Sequence, residues 1–294
     1  MKEKSVVGGQ AVIEGVLMRN KNIMAVAVRK ANGSIKIKKE TLKSVFFNHG
    51  LFKKPFMRGI SNLIDTLFIG MKALNYSANE ALDDEESKAN NASKVSQKGM
   101  STWQTVSTII FSILFSVLLF ILVPLWLTRL MTESHGLIFN MIDGVIRIAI
   151  FLIYILFISI FADVRRVFQY HGAEHKSVYC YEAGEKLIPK NVRKYSTLHP
   201  RCGTTFILLV LVISIILFSL ITHPSFIVKF AARIIFIPLI ASVSYEILHL
   251  GGKHFGKKWV KIIISPGLLL QKITTREPSE KQIEVAIAAL KAVI

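Results

Sequence analysis

The sequence predicts an α-helical membrane protein with four transmembrane helices, a small cytoplasmic α+β domain at its N-terminal end and a C-terminal amphipathic helix. Three observations predict it. Four long apolar runs alternate with basic segments. A hydrophobic content of 52% coexists with a net charge of +18, which a soluble domain seldom combines but a membrane protein achieves by segregating the two along its chain. Finally, Lys and Arg are divided very unequally between the two sides of those runs.

Residues 1–82 read as a β-hairpin followed by an amphipathic helix. Residues 5–43 turn and alternate like a small β unit, and Asn32-Gly33 between the runs 23–29 and 34–39 is a strong hairpin signal. Residues 56–82 place apolar side chains at helical spacing, for a helix that lies on the membrane or packs on the hairpin. Residues 83–102 are polar and form a linker.

The transmembrane region covers 103–248. Its first run, 105–127, is almost uncharged and has Trp103 and Trp126 near its ends, where amphipathic rings favour the interface. No apolar leader follows the lysine-bearing start, so this run is expected to direct insertion. The second run is 145–161. Asp143 and Arg147 mark the preceding stretch, 136–144, as interfacial. The third is 205–222 and the fourth 226–248, whose Lys229 and Arg233 lie near enough to its start to snorkel.

Orientation follows from counting. Residues 1–102 hold 17 Lys and Arg, loop 163–204 holds 8 and tail 249–294 holds 8, while the opposite side holds only Arg129, Arg147, Lys229 and Arg233. The positive-inside rule then puts both termini and the central loop in the cytoplasm of a cell bounded by its inner (plasma) membrane. In the tail, 257–272 is apolar but interrupted by Ser265-Pro266-Gly267, so it reads as interfacial. Ser279 and Gln282 have capping-box spacing for a helix over 280–293 that buries Ile283, Ile287 and Leu290.

The sharpest chemical signal is His171-Gly172-Ala173-Glu174-His175, an H-x-x-E-H pattern. On a helix, positions i, i+3 and i+4 share a face. Two imidazoles can then bind one metal, Zn²⁺ by donor type, while Glu174 serves as general base. Glu182, eleven residues past His171, returns to within about 20° of that face. Threading of the spans brings two further groups to the same cytoplasmic boundary, His199 with Cys202 and Glu246 with His249. Glu246, Glu182, His199 and Cys202 therefore compete to complete the shell. The alternative for the whole layer is a polar network joining helix ends to loops. Cys180 and Cys202 face a reducing compartment, which argues for free thiols or ligands over a disulfide; Cys180, inside Tyr-Cys-Tyr, reads as a structural thiol. Gly251 to Lys258 imitates a P-loop but places Lys258 where Ser or Thr would hold magnesium, and it follows a spanning helix instead of a strand.

The basic cytoplasmic face suits anionic lipid headgroups at the bilayer surface, or a ribosome or protein translocon. No DNA partner is expected.

The segments VVGGQAVIEGVLMR, YHGAEHKSVYCYEAGE, STLHPRCGTTF and PGLLLQKITTREPSEKQIEVAIAALKAV resemble the YqhQ-like family of bacterial membrane proteins. The resemblance runs from about Val7 to the C-terminus. It implies a domain of unknown function sometimes called a predicted metal-dependent enzyme, a label that rests on the same His/Glu motif. Two readings follow: a metal-dependent membrane hydrolase, and a non-enzymatic scaffold or membrane-protein biogenesis factor.

Overall fold

The computed structural model describes residues 7–42, 54–89, 102–253 and 257–294. These residues are mostly helical, with one small antiparallel sheet among them at the N-terminal end. Strands β1 (Val7–Val12), β2 (Gly15–Asn20), β3 (Ile23–Arg29) and β4 (Ile35–Thr41) pair in chain order as a meander. The Asn-Gly signal makes the β3–β4 turn. Gly33 takes φ +88°, and the Asn32 side chain accepts from the Ser34 N–H at 2.9 Å, setting a register of Ile23 opposite Thr41. β1 and β2 complete the sheet where the sequence specified only this hairpin.

β3 is apolar on both faces because both are covered. Met24, Val26 and Val28 pack with Ala73 of α1 (Met57–Ala89), while Ala25 and Ala27 pack with Tyr170 and Val178 of α5 (Ala162–Ala183) and Ile283 and Leu290 of α11 (Glu280–Lys291). Each large side chain so buried contributes about 1.5–3 kcal/mol. α1 thus packs on the sheet, and its first turns also meet α9 (Ile237–Lys253): Asn62 donates to the Tyr245 hydroxyl at 2.7 Å. α1 runs on to Ala89; the rest of the expected linker, 90–101, lies outside the described residues. The Ser279 capping box begins α11.

Glu80 of α1 receives Lys30 at 2.5 Å and Lys36 at 2.7 Å. Burial pushes its carboxyl up, yet the two ammonium groups outweigh burial and hold it below its ordinary value. Its stabilisation is therefore present above the unfolded-state value and is lost as pH falls through the lower, folded one. Glu80→Gln is expected to cost about 1–3 kcal/mol at neutral pH, with the difference from the wild type vanishing in acid. Thermal melts across pH check this, and a pH-independent difference would contradict it.

Among the described residues two helices, Val106–Met131 and Leu137–Ile158, are long and apolar enough to cross a membrane. The bent pair Phe226–Ile235 and Ile237–Gly252 adds a third if it counts as one span. The first comprises α2 (Thr102–Val117), a π-helical turn (Leu118–Leu122) and α3 (Val123–Met131). Pro124 has no N–H for the carbonyl four residues back, which accounts for the widened ladder before it.

Four expectations need correction. The stretch 136–144 is not an interfacial segment but the start of α4 (Leu137–Ile158), with Asp143 and Arg147 buried. Their charges are tolerated because they pair at 2.7 Å and Arg233 of α8 (Phe226–Ile235) reaches the same carboxylate at 2.8 Å. For the same reason Lys229 and Arg233 are buried, not snorkelling. The run 226–248 is two helices, bent by 47° at the break between α8 and α9. And Pro266 does not interrupt α10 (Lys258–Thr274): the Ile262 carbonyl, deprived of its amide partner, accepts from the Ser265 hydroxyl at 2.8 Å. Gly267 lets α10 lie close on Thr205 of α7 (Gly203–Ser219).

Candidate metal centre

The H-x-x-E-H segment is helical, in the middle of α5, so His171 and His175 share a face as their spacing demands. Gly172 makes this possible: a Cβ there would run into the Arg276 carbonyl, since residues 275–279 cross directly over α5. That crossing is pinned by the Arg276 N–H on the Phe168 carbonyl at 2.9 Å and by buried Lys176 on Glu277 at 2.5 Å.

The same crossing orients the first imidazole. His171 Nδ1 lies 2.9 Å from the Thr274 carbonyl, and His175 Nδ1 contacts the Thr197 carbonyl. A carbonyl only accepts, so each Nδ1 carries the proton and each Nε2 is left with its lone pair. His171 Nε2 points at Cys202 Sγ, 3.2 Å away. One ligand atom from each of His171, His175 and Cys202 lies within 4.8 Å of the other two.

Cys202 is held there from two directions. It is the N-cap of α7 and accepts from the Thr204 N–H. Gln271 of α10 clamps the preceding turn, accepting the His199 N–H at 2.7 Å and donating to its carbonyl at 2.9 Å. The thiol therefore reaches the imidazoles through α10, which the sequence had marked only as an apolar tail segment.

These groups line a cavity of about 220 Å³ that also meets Glu174, His199 and Arg201 and is bounded by Gly8 and Gly9 of β1. Glu174 Oε2 lies 3.5 Å from His175 Nε2. Gly9 has to be glycine at this point, as a Cβ would fall 2.6 Å from Glu174 Cγ and 2.7 Å from the Leu17 carbonyl oxygen. Burial pushes the Glu174 carboxyl up, against the opposing pull of His171, His199, Arg201 and the Gly9 N–H. Burial also holds the His175 and His199 imidazoles below their ordinary range, so both are neutral near pH 7.

The remaining candidates divide. His199 borders the cavity, its ring 5.6 Å from that of His175, but its Nδ1 accepts the Arg201 N–H and its Nε2 has no hydrogen-bond partner. Glu182 pairs with Arg201 at the cavity edge. Glu246 is elsewhere, accepting both Arg58 Nε at 2.8 Å and Nη2 at 2.5 Å, and His249 stacks on Tyr245. Of the four competitors Glu246, Glu182, His199 and Cys202, the structure brings Cys202 together with His171 and His175 and places Glu246 of α9 apart from them. Cys180 is a buried thiol in the core beneath the sheet. Four contributors went unrecognised in the sequence, Gly9, Gln271 and the carbonyls of Thr197 and Thr274. Only the Gly8-Gly9 pair offered a signal.

The family described as "Protein of unknown function (DUF1385)" matches residues 54–294. The uncharacterized protein YqhQ of Bacillus subtilis (strain 168) is 34% identical over 291 residues, which is 98% of this chain and 92% of that protein. No solved structure matches.

Proposed function

The chain belongs to the DUF1385 family, and from that premise we propose a multi-pass protein of the bacterial inner membrane with a zinc site for hydrolytic chemistry at its cytoplasmic face. The observation that carries this reading is the pair of imidazoles whose Nδ1 atoms are both committed to backbone carbonyls, leaving the Nε2 atoms free to ligate beside one thiol, with a ligand atom of each of the three residues within 4.8 Å of the others. A polar network that merely tied a helix end to its loop has no need to converge three donors. The donor set fits zinc. Ligand atoms around a tetrahedral zinc stand roughly 3.3–3.8 Å apart, from bond lengths of about 2.0–2.3 Å, and the three atoms here need only small closing movements from within 4.8 Å.

A zinc ion bound there supplies a Lewis acid and an acidified water. The protein's own part is distinct. The carbonyls of Thr197 and Thr274 keep the imidazoles in the ligating tautomer. Glu174 Oε2 can take up and return a proton beside His175 Nε2, while the Gly9 N–H orients its carboxylate. Arg201 offers positive charge at the cavity wall for an oxyanion.

The topology proposed is four spans with α7 third, the bent α8–α9 pair fourth, and both termini in the cytoplasm. It is supported by the split of 33 Lys and Arg against 4 and by the apolar helix α7, 17 residues long. The basic face would rest on anionic headgroups.

Metal analysis of the detergent-purified full chain tests the reading. About one equivalent of zinc is expected, and Glu174→Gln should keep the metal, because its carboxylate is not among the three converging donors. A zinc-free preparation that takes up none on dialysis overturns the proposal. It would favour the scaffold reading, in which the basic face docks a ribosome or translocon.

A further inference from the structure

We propose that the chain binds an oxyanion of the phosphate class inside its membrane bundle, at the end opposite the metal centre. The proposal is independent of zinc and rests on a charge imbalance. Asp143 and Arg147 of α4 and Lys229 and Arg233 of α8 are all buried, none more than 6% exposed. Asp143 Oδ2 accepts from both guanidinium groups, at 2.7 and 2.8 Å. Lys229 donates to the His135 carbonyl at 3.1 Å, with its ammonium 3.4 Å from the Phe139 ring centroid. Three cations thus share one carboxylate. Even with Lys229 neutral, one positive charge is left over, because arginine stays protonated.

Neighbouring groups soften the imbalance without cancelling it. The Phe218 ring faces both guanidinium groups, at 5.4 Å from Arg147 and 5.0 Å from Arg233. Yet Nε of each arginine is buried with no hydrogen-bond partner, as is Asp143 Oδ1. An uncompensated charge among spanning helices is costly, and intramembrane ionisable groups of this kind mark ligand sites.

A place for the counter-charge adjoins the cluster. A cavity of about 380 Å³ is lined by Lys229, Arg129, Glu133, His135, Leu125 and Phe226. Arg129 and Glu133 contribute opposite charges, so the excess stands. Lys229 links the cavity to Arg233, whose Nη1 donates to the Lys229 carbonyl one turn away at 2.9 Å. Asp143 is 15 residues before the end of α4, about 22 Å along the axis from the side that leads to His171. Clustered lysine and arginine donors in a partly apolar pocket suit a phosphate oxyanion, either on a lipid headgroup or as the free ion.

The test uses the detergent-purified full chain. It is incubated with phosphatidylglycerol, phosphatidylcholine or radiolabelled inorganic phosphate, and retained phosphorus is counted per chain after washing. About one equivalent of phosphatidylglycerol or of inorganic phosphate is expected, above the phosphatidylcholine background. Lys229→Gln should weaken retention about tenfold or more, the loss of one charge-assisted hydrogen bond. Arg129→Gln, on the cavity wall and outside the buried cluster, should weaken it in the same direction if Lys229→Gln fails to fold. The doubly substituted cytoplasmic control Lys36→Gln, Lys38→Gln should leave it unchanged. Retention of the lipid alone assigns the site to a headgroup, and displacement of the lipid by inorganic phosphate assigns it to the free ion. Background retention of both anions overturns the proposal. So does an equal loss in the cytoplasmic control, which would place the anion on the basic face.

Discussion

Replacing Cys202 with serine, or His171 or His175 with alanine, is expected to weaken zinc binding by about a hundredfold or more, read by competition with a chromophoric chelator. The magnitude follows from sharing. A complete protein zinc site is worth about 10–16 kcal/mol. Divided among three or four ligands, that is roughly 3 kcal/mol each, or about two orders of magnitude. Serine tests the donor itself: it preserves the N-cap of α7, because a hydroxyl can accept the Thr204 N–H as the sulfur does, but removes the soft ligand. Glu246→Gln and Glu182→Gln form the contrast set. Their carboxylates are engaged by Arg58 and Arg201, so zinc affinity should stay within a few-fold of wild type. If Glu246→Gln lost zinc as fully as Cys202→Ser, the assignment of the third ligand to Cys202 would fail.

The second large effect lies between α4 and α8. Asp143→Asn is expected to destabilise the chain by about 3–5 kcal/mol, the usual consequence of removing one partner from a buried ion pair. The carboxylate serves Arg147 and Arg233 together, and an amide in its place neutralises neither. Arg147→Met should cost less, since Asp143 keeps Arg233 and one surplus charge disappears. The order of the two variants in a thermal or denaturant unfolding series is the decisive reading. Equal stability of Asp143→Asn and wild type would mean that the shared carboxylate does not hold α4 to α8.

What the sequence made legible was local. Asn32-Gly33 announced the β3–β4 turn because the αL conformation of Gly33 is a property of a dipeptide. Ser279 and Gln282 announced α11 for the same reason. His171 and His175 could be placed on one face because helical geometry fixes what i and i+4 do. The choice among Cys202, Glu182, His199 and Glu246 depended on tertiary contacts. Nothing near Cys202 in the chain says that Gln271, some seventy residues on, clamps the turn before it. Nor does Glu246 reveal locally that Arg58 will claim it. Asp143 and Arg147 misled for a related reason. A charge in an apolar run argues for an interface unless its partners are known, and here one of Asp143's two partners, Arg233, is ninety residues away. At Pro266 the local rule itself was incomplete, since the adjacent serine supplies the missing donor.

The covering of the sheet by α11 has a consequence for biosynthesis. Val16, Met18, Ala25 and Ala27 are complete within the first 30 residues, but the side chains that cover them from 283 to 290 are translated about 250 residues later. At about 5–20 residues per second, the interval is roughly 13–50 s. Throughout it the nascent meander presents an uncovered apolar face while the long apolar helices are being made. Closure by a segment made so much later, with Asn20 donating to the Val293 carbonyl at 2.9 Å, makes the finished sheet, and the cavity bounded by β1, dependent on residues translated long after the sheet itself.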